Sequence, residues 1–202
     1  LDKLFDLCKV DPATGNGVEI LKTTDQYISQ VSFTSYINSS QFYNGWWLFL
    51  NEDAKYLLKV KMDGSKQTDT IQSVKTPIFA VHNNRIYFAL KNPTTVYNRY
   101  LSIYKSCLAS VAFDGGAVTI EDTTNLRLCN TVSNYGSLLL IGDGRFIKTF
   151  DPVTKEVKIL GALDAVANEY GSTLPAYPFV NTYTGNIYYS TYNDKYPVYK
   201  LR

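Results

Sequence analysis

Residues 56–71, YLLKVKMDGSKQTDTI, decide the fold class. Leu58, Val60 and Met62 alternate with Lys59 and Lys61, the period of a half-buried strand. Asp63-Gly64 then ends the strand with turn chemistry, and residues 67–71 begin a second strand. The same punctuation returns at Asp11-Pro12, at Asp114-Gly115-Gly116 and at Asp151-Pro152. Each time an apolar run leads into Asp, then Gly or Pro, then polar residues, then another apolar run. One supersecondary unit is used repeatedly along the chain.

Working outward, residues 4–10, a DPATGNG turn and residues 18–21 read as two strands. Residues 27–33 (YISQVSF), 46–52 (WWLFLNE), 56–62 and 67–71 make a first set of four, with residues 37–45 as a polar connection. The run 46–52 is apolar throughout at its start, as in a strand buried on both faces. Trp46 and Trp47 are neighbours on it and face opposite ways. The second set is 77–90, with Asn83-Asn84 as a two-residue hairpin turn, followed by 101–113 and 117–120. The third is 126–132, 137–141, 145–150 and 157–160. Residues 161–172 are the one place where a helical turn competes with a loop. The last set is 177–181, 187–191 and 198–201. The approximate repeats are therefore 27–72, 77–121, 126–160, and 177–202 plus 1–22. Four strands every 40–50 residues or so is the signature of a β-propeller. A four-stranded blade is apolar on both faces and needs neighbours to cover them.

The motifs IYFAL (residues 86–90), NIYYST (186–191) and YLLKVKMDGS (56–65) resemble the YWTD-type propeller repeats of low-density-lipoprotein-receptor ectodomains. They resemble more strongly the related repeats of secreted bacterial proteins, in which IYY is followed by LYKV-x-x-DG. YWTD tetrads themselves are absent. The resemblance implies an all-β propeller of about four antiparallel blades, either complete in residues 1–202 or part of a larger propeller, with the N-terminal residues completing the C-terminal blade. It also implies extracellular binding, and it carries no catalytic residue.

Composition narrows the function. A hydrophobic share of 45% with 19% charged residues describes a folded globular chain. The net charge of +2, with no Lys/Arg cluster, gives no nucleic-acid footprint. The longest apolar runs, 46–50 and 137–141, are far short of the roughly 20 residues of a membrane span. The absence of a starting Met suits a processed or excised chain. Three cysteines leave either one disulfide, with Cys107 and Cys129 as the candidate pair, or three buried free thiols. Asn38-Ser39-Ser40 is a formal glycosylation acceptor.

Catalytic groups are sparse. His82, the one histidine, precedes a hairpin turn and reads as a surface or turn residue. One His and three scattered Cys do not make a zinc site, and no cofactor motif occurs. Glu52/Asp53 and Glu121/Asp122 are sequence neighbours, which point to opposite faces of a strand, so they read as solvated loop charges rather than as a glycosidase pair. Asp63, Asp114 and Asp151 read as turn initiators through Asx hydrogen bonds rather than as calcium ligands. Gly142-Asp143-Gly144-Arg145 reads as a hairpin turn.

The unusual feature is 17 tyrosines. Tyr97, Tyr100, Tyr170, Tyr177, Tyr183, Tyr192 and Tyr196 fall in or beside loops. There they either pack between blades or supply rigid contact area with a polar tip. The expected function is non-catalytic: a secreted or cell-surface module binding protein or glycan through a propeller face, with Tyr97, Tyr100, Tyr170, Tyr177, Tyr183 and Tyr192 as the candidate surface. The alternatives are a structural subunit that forms homo-oligomers through its terminal strands, and a carbohydrate-active enzyme.

Overall fold

A computed structural model of the chain describes residues 7–21, 40–51, 56–76, 78–91, 106–122, 125, 126, 129–144, 146–162, 176–180, 184–191, 199 and 200. These residues form strands and turns, with no helix among them. The chain divides into two compact units, Leu1–Pro77 and Ile78–Arg202.

The first unit holds a hairpin of β1 (Leu7–Val10) and β2 (Gly17–Leu21), and a four-stranded antiparallel sheet. The sheet runs β3 (Gln41–Tyr43), β4 (Trp46–Asn51), β5 (Tyr56–Lys61) and β6 (Thr68–Ile71) in spatial order. The expected strand at 27–33 lies outside the described residues. The sheet's first strand is instead β3, inside the stretch read as a polar connection. Asn44-Gly45 makes this possible: both residues take positive φ, 47° and 76°, in the two-residue turn that matches strand twist. On one face Trp47 and Phe49 pair across the ladder with Val60 and Leu58, and the four form a buried cluster. The other face buries Leu48, Leu50, Leu57 and Ile71, and with them Lys59.

The second unit contains two four-stranded sheets and one of three strands. The first sheet is β7 (Phe79–His82), β8 (Arg85–Lys91), β9 (Ser106–Ala112) and β10 (Thr119–Asp122). The next is β11 (Cys129–Tyr135), β12 (Leu138–Asp143), β13 (Phe146–Phe150) and β14 (Val157–Ala162). The third is β15 (Ala176–Val180), β16 (Ile187–Thr191) and β17 (Tyr199–Lys200). Asn83 and Asn84, with φ of 46° and 57°, make the expected hairpin turn between β7 and β8.

Alternation along β12 shows how these sheets stack. Leu139 and Ile141 join Ala80, Tyr87, Leu108 and Phe150 in one core between the first two sheets. Leu140, between them in sequence, joins Ile147 and Ile187 in a second core toward the third sheet. A middle sheet covered on both faces is why its strands read as continuous apolar runs.

One turn recurs at a fixed place. In Asp11–Asn16 and Asp151–Glu156 the first N–H donates to the sixth carbonyl, and the fifth N–H to the Asp carbonyl. The Asp carboxylate accepts the N–H two residues on, from Ala13 and from Val153. The Thr14 and Thr154 hydroxyls accept from Asn16 N–H and Glu156 N–H. Asp63 makes the same first bond with Ser65 N–H. This Asp turn joins β5 to β6 and β13 to β14, the third strand to the fourth of their sheets, and it also joins β1 to β2. Asx chemistry is therefore the role of Asp63 and Asp151. Three antiparallel four-stranded sheets built on one repeated unit make an all-β, propeller-like fold.

Cys107 and Cys129 are buried free thiols, so the disulfide considered from the sequence is not formed. They sit on β9 and β11, strands of different sheets. Their sulfurs face main-chain oxygens instead, Cys107 that of Leu90 and Cys129 that of Thr131.

Candidate functional site

The candidate site is the β3–β4 turn end of the first unit's sheet, where side chains are presented rather than consumed. Phe42 on β3 is 66% exposed, unlike the aromatics of the core. Its ring stacks on Trp47, directly opposite on β4, with centroids 6.2 Å apart and planes 15° apart. Trp47 in turn rests on Phe49 at 4.3 Å. A buried tryptophan thus braces an exposed phenylalanine, a rigid platform of the kind that meets an apolar side chain or the C–H face of a sugar. The turn beside it is tied down, since Met62 N–H donates to Gly45 O at 2.9 Å.

The opposite face at the same end is basic and aromatic. Trp46 is half-buried and pairs across the ladder with Tyr43 on one side and Lys61 on the other. The Lys59 and Lys61 ammonium groups lie 5.2 and 5.1 Å from the centre of the Trp46 ring, within cation–π range. Lys59 is only 1% exposed and pairs with Asp69 at 3.0 Å. Burial pushes the Asp69 carboxyl up, but hydrogen bonds from Lys59 and from Thr70 N–H outweigh it and hold the group below its ordinary value. The Asp63 carboxyl is likewise lowered, chiefly by the Ser65 hydroxyl and N–H, with Lys61 adding through space.

In the second unit the polar side chains are used on one another. Ser110 Oγ accepts from Arg85 Nε at 3.1 Å and Nη2 at 2.6 Å, and donates to Glu121 Oε1 at 2.5 Å. That fills the hydroxyl's one donor and two acceptor positions. Lys155 Nζ donates to Glu121 Oε2 at 2.6 Å from the turn of the adjacent sheet. The Glu121 side chain is 1% exposed, which corrects the reading of Glu121/Asp122 as solvated loop charges. A bulge in β10 at this point lets Glu121 turn inward. Its neighbour Asp122 caps a turn, accepting from the N–H groups of Asn125 and Leu126. Tyr87, buried alongside, has its hydroxyl pKa raised by burial first and by Glu121 second. Lys148 is buried with Asp143 and also donates to Asn125 O.

His82 is corrected as well. It is buried, 8% exposed, because β7 packs against β11. Asn134 Nδ2 donates to Val81 O, which turns its Oδ1 toward His82 Nδ1 at 3.1 Å and makes that nitrogen the donor. No strand pattern signals this, since the partner lies 52 residues away. Burial also pushes both thiols up, Cys107 and, much further, Cys129.

Of the tyrosines singled out in the sequence, Tyr97, Tyr100, Tyr170, Tyr183, Tyr192 and Tyr196 lie outside the described residues, as do Glu52 and Asp53. Tyr177 is on β15, opposite Ser190. The Phe42 platform was missed because its strand was read as a connection. The Asn-Gly pair between Phe42-Tyr43 and Trp46-Trp47 is the signal that finds it.

No protein-family model matches the chain, and no curated protein matches it. Among solved structures it is similar to the extracellular domain of a putative hybrid two-component system from B. thetaiotaomicron, with a TM-score of 0.51 at 7% identity, over 80% of this chain and 21% of that one. The likeness is one of fold. A nidogen/laminin complex gives a TM-score of 0.49 at 17% identity over 93% and 64% of the two chains. Streptogramin B lyase gives 0.49 at 12% over 96% and 61%. The chain spans less than two thirds of each of these structures.

Proposed function

We propose that the chain forms a propeller domain and that it is a non-catalytic, extracellular recognition module for protein or glycan. The observation that carries this reading is the exposed Phe42 ring braced on Trp47 at a turn. Tyr97, Tyr100, Tyr170, Tyr177, Tyr183 and Tyr192 are further candidate ligand-binding residues in this reading. Two further features support it. The polar groups best suited to chemistry, Ser110 and Glu121, are engaged with Arg85 and Lys155. A solved structure of similar fold is described as an extracellular domain.

The test is a screen of the intact chain and of Phe42→Ala against glycan arrays and surface-protein panels. Loss of an exposed aromatic anchor is expected to weaken binding at least tenfold, as interface anchors of about 2 kcal/mol do, while the lost stacking on Trp47 lowers the melting temperature by only about 1–6 °C. Equal binding by the two proteins rejects the site.

A second reading, a subunit that assembles with copies of itself, is favoured by Ile120, Ile159 and Leu160, which are exposed on the outer strands β10 and β14. Light scattering separates the two. A particle near 22.8 kDa supports recognition by a monomer, and a concentration-dependent larger mass supports assembly.

A further inference from the structure

We infer that the Trp46 face reads an anionic group, and that the ligand class it selects is an acidic glycan carrying sulfate or carboxylate. This rests on the recognition reading above and specifies its ligand.

The geometry decides the sign of the charge. Two ammonium groups already face the Trp46 ring. The negative face of an indole attracts cations, but here it is occupied. A third cation would meet like charge at close range, whereas an anion beside the ring would meet the Lys61 ammonium, Lys59 being paired with Asp69.

The two lysines are not equivalent. Lys59 is buried and already paired with Asp69. Lys61 is half-buried at the sheet end, beside the Asp63-Gly64 turn. The nearby Asp63 carboxylate is drawn into its own turn by Ser65. Lys61 is therefore the cation positioned to reach a ligand, with the indole holding its ammonium group in place.

The accompanying surface is two half-buried rings, Tyr43 and Trp46, rather than a broad apolar patch. An acidic sugar offers both matching parts in one residue, a charged substituent for Lys61 and a C–H face for an aromatic ring such as Tyr43.

The experiment is calorimetric titration of the intact chain with a sulfated oligosaccharide, a uronic-acid oligosaccharide and a neutral oligosaccharide of the same backbone, at low and physiological salt. Wild type is expected to bind one or both charged chains about tenfold more tightly than the neutral one, the scale of one charge-assisted contact, with the preference shrinking as salt rises. Lys61→Gln should abolish the preference, and Lys61→Arg should keep it. Melting curves confirm that both variants fold. Equal affinity for charged and neutral chains overturns the inference, as does a preference that survives Lys61→Gln, or binding of an acidic peptide but of no acidic glycan. Phe42→Ala in the same titrations separates the two ideas. If it weakens a neutral or protein ligand that Lys61→Gln leaves untouched, the recognition site stands and the anionic specificity falls.

Discussion

Replacing Glu121 by alanine tests whether this carboxylate is architectural. Its side chain is 1% exposed and accepts from Ser110 at 2.5 Å and from Lys155 at 2.6 Å. A hydrogen bond to a buried charged group contributes about 1.5–3 kcal/mol. The Lys155 pair adds about 0.2–1 kcal/mol, because the lysine end is half exposed and regains water when freed. Truncation also leaves the Ser110 hydroxyl, which still accepts from Arg85 Nε and Nη2, without an acceptor for its own proton. The expected cost is about 3 kcal/mol, read as a lower urea midpoint with an unchanged slope. For a chain of this length that is a fall in melting temperature of about 6–12 °C. Glu121→Gln keeps an oxygen facing Ser110 and should cost about 1 kcal/mol, and Lys155→Met no more than that. If Glu121→Ala unfolds within about 0.5 kcal/mol of wild type, the range of an ordinary surface change, the network does not hold the two sheets and Glu121 is free for another role.

Two further outcomes follow from the same reasoning. The Asp69 carboxyl is held below its ordinary value of 3.8, so the Lys59–Asp69 pair stabilises the folded chain in full above that value and is lost as pH falls through the lower folded one. The urea midpoint should therefore be flat from neutrality down to about pH 5 and drop below about pH 4, and Asp69→Asn should soften that drop; a variant curve parallel to wild type counts against the pair. Burial raises the pKa of Cys107 and Cys129, so at pH 8 neither thiol should be alkylated in the native chain and both should react after unfolding; peptide mass spectrometry showing native labelling of Cys129 would contradict its burial.

The repeated unit was legible because it is local. Asp63-Gly64, Asp151-Pro152 and Asn83-Asn84 state their turns within two residues, since the Asx bond and positive φ depend on those residues alone. The strands between them were legible from period-two alternation, as with Trp46 and Trp47 facing opposite sides of β4. Two local errors have local causes. Asn44-Gly45 was as strong a signal as Asn83-Asn84, but it sat in a stretch of Ser, Gln and Asn that masked a strand of three residues. Cys107 and Cys129 looked like partners because spacing alone cannot distinguish a bridge from two buried thiols.

The misread side chains were misread for one reason. Glu121, His82 and Lys59 are polar residues placed inside, and a polar residue at an edge or turn reads as solvated unless its partner is known. Each partner lies on another strand or another sheet: Lys155 for Glu121, Asn134 for His82, Asp69 for Lys59. In stacked sheets that is where partners must be found, because a face buried against a neighbour has no water to satisfy a polar group. The same logic identifies what is left over. Phe42 is apolar and uncovered where Trp47, Phe49, Phe88 and Phe150 are buried. An exposed ring that the fold has braced but not covered is stabilised by its contact with Trp47, yet it still presents apolar area to water, and a bound ligand would remove that cost.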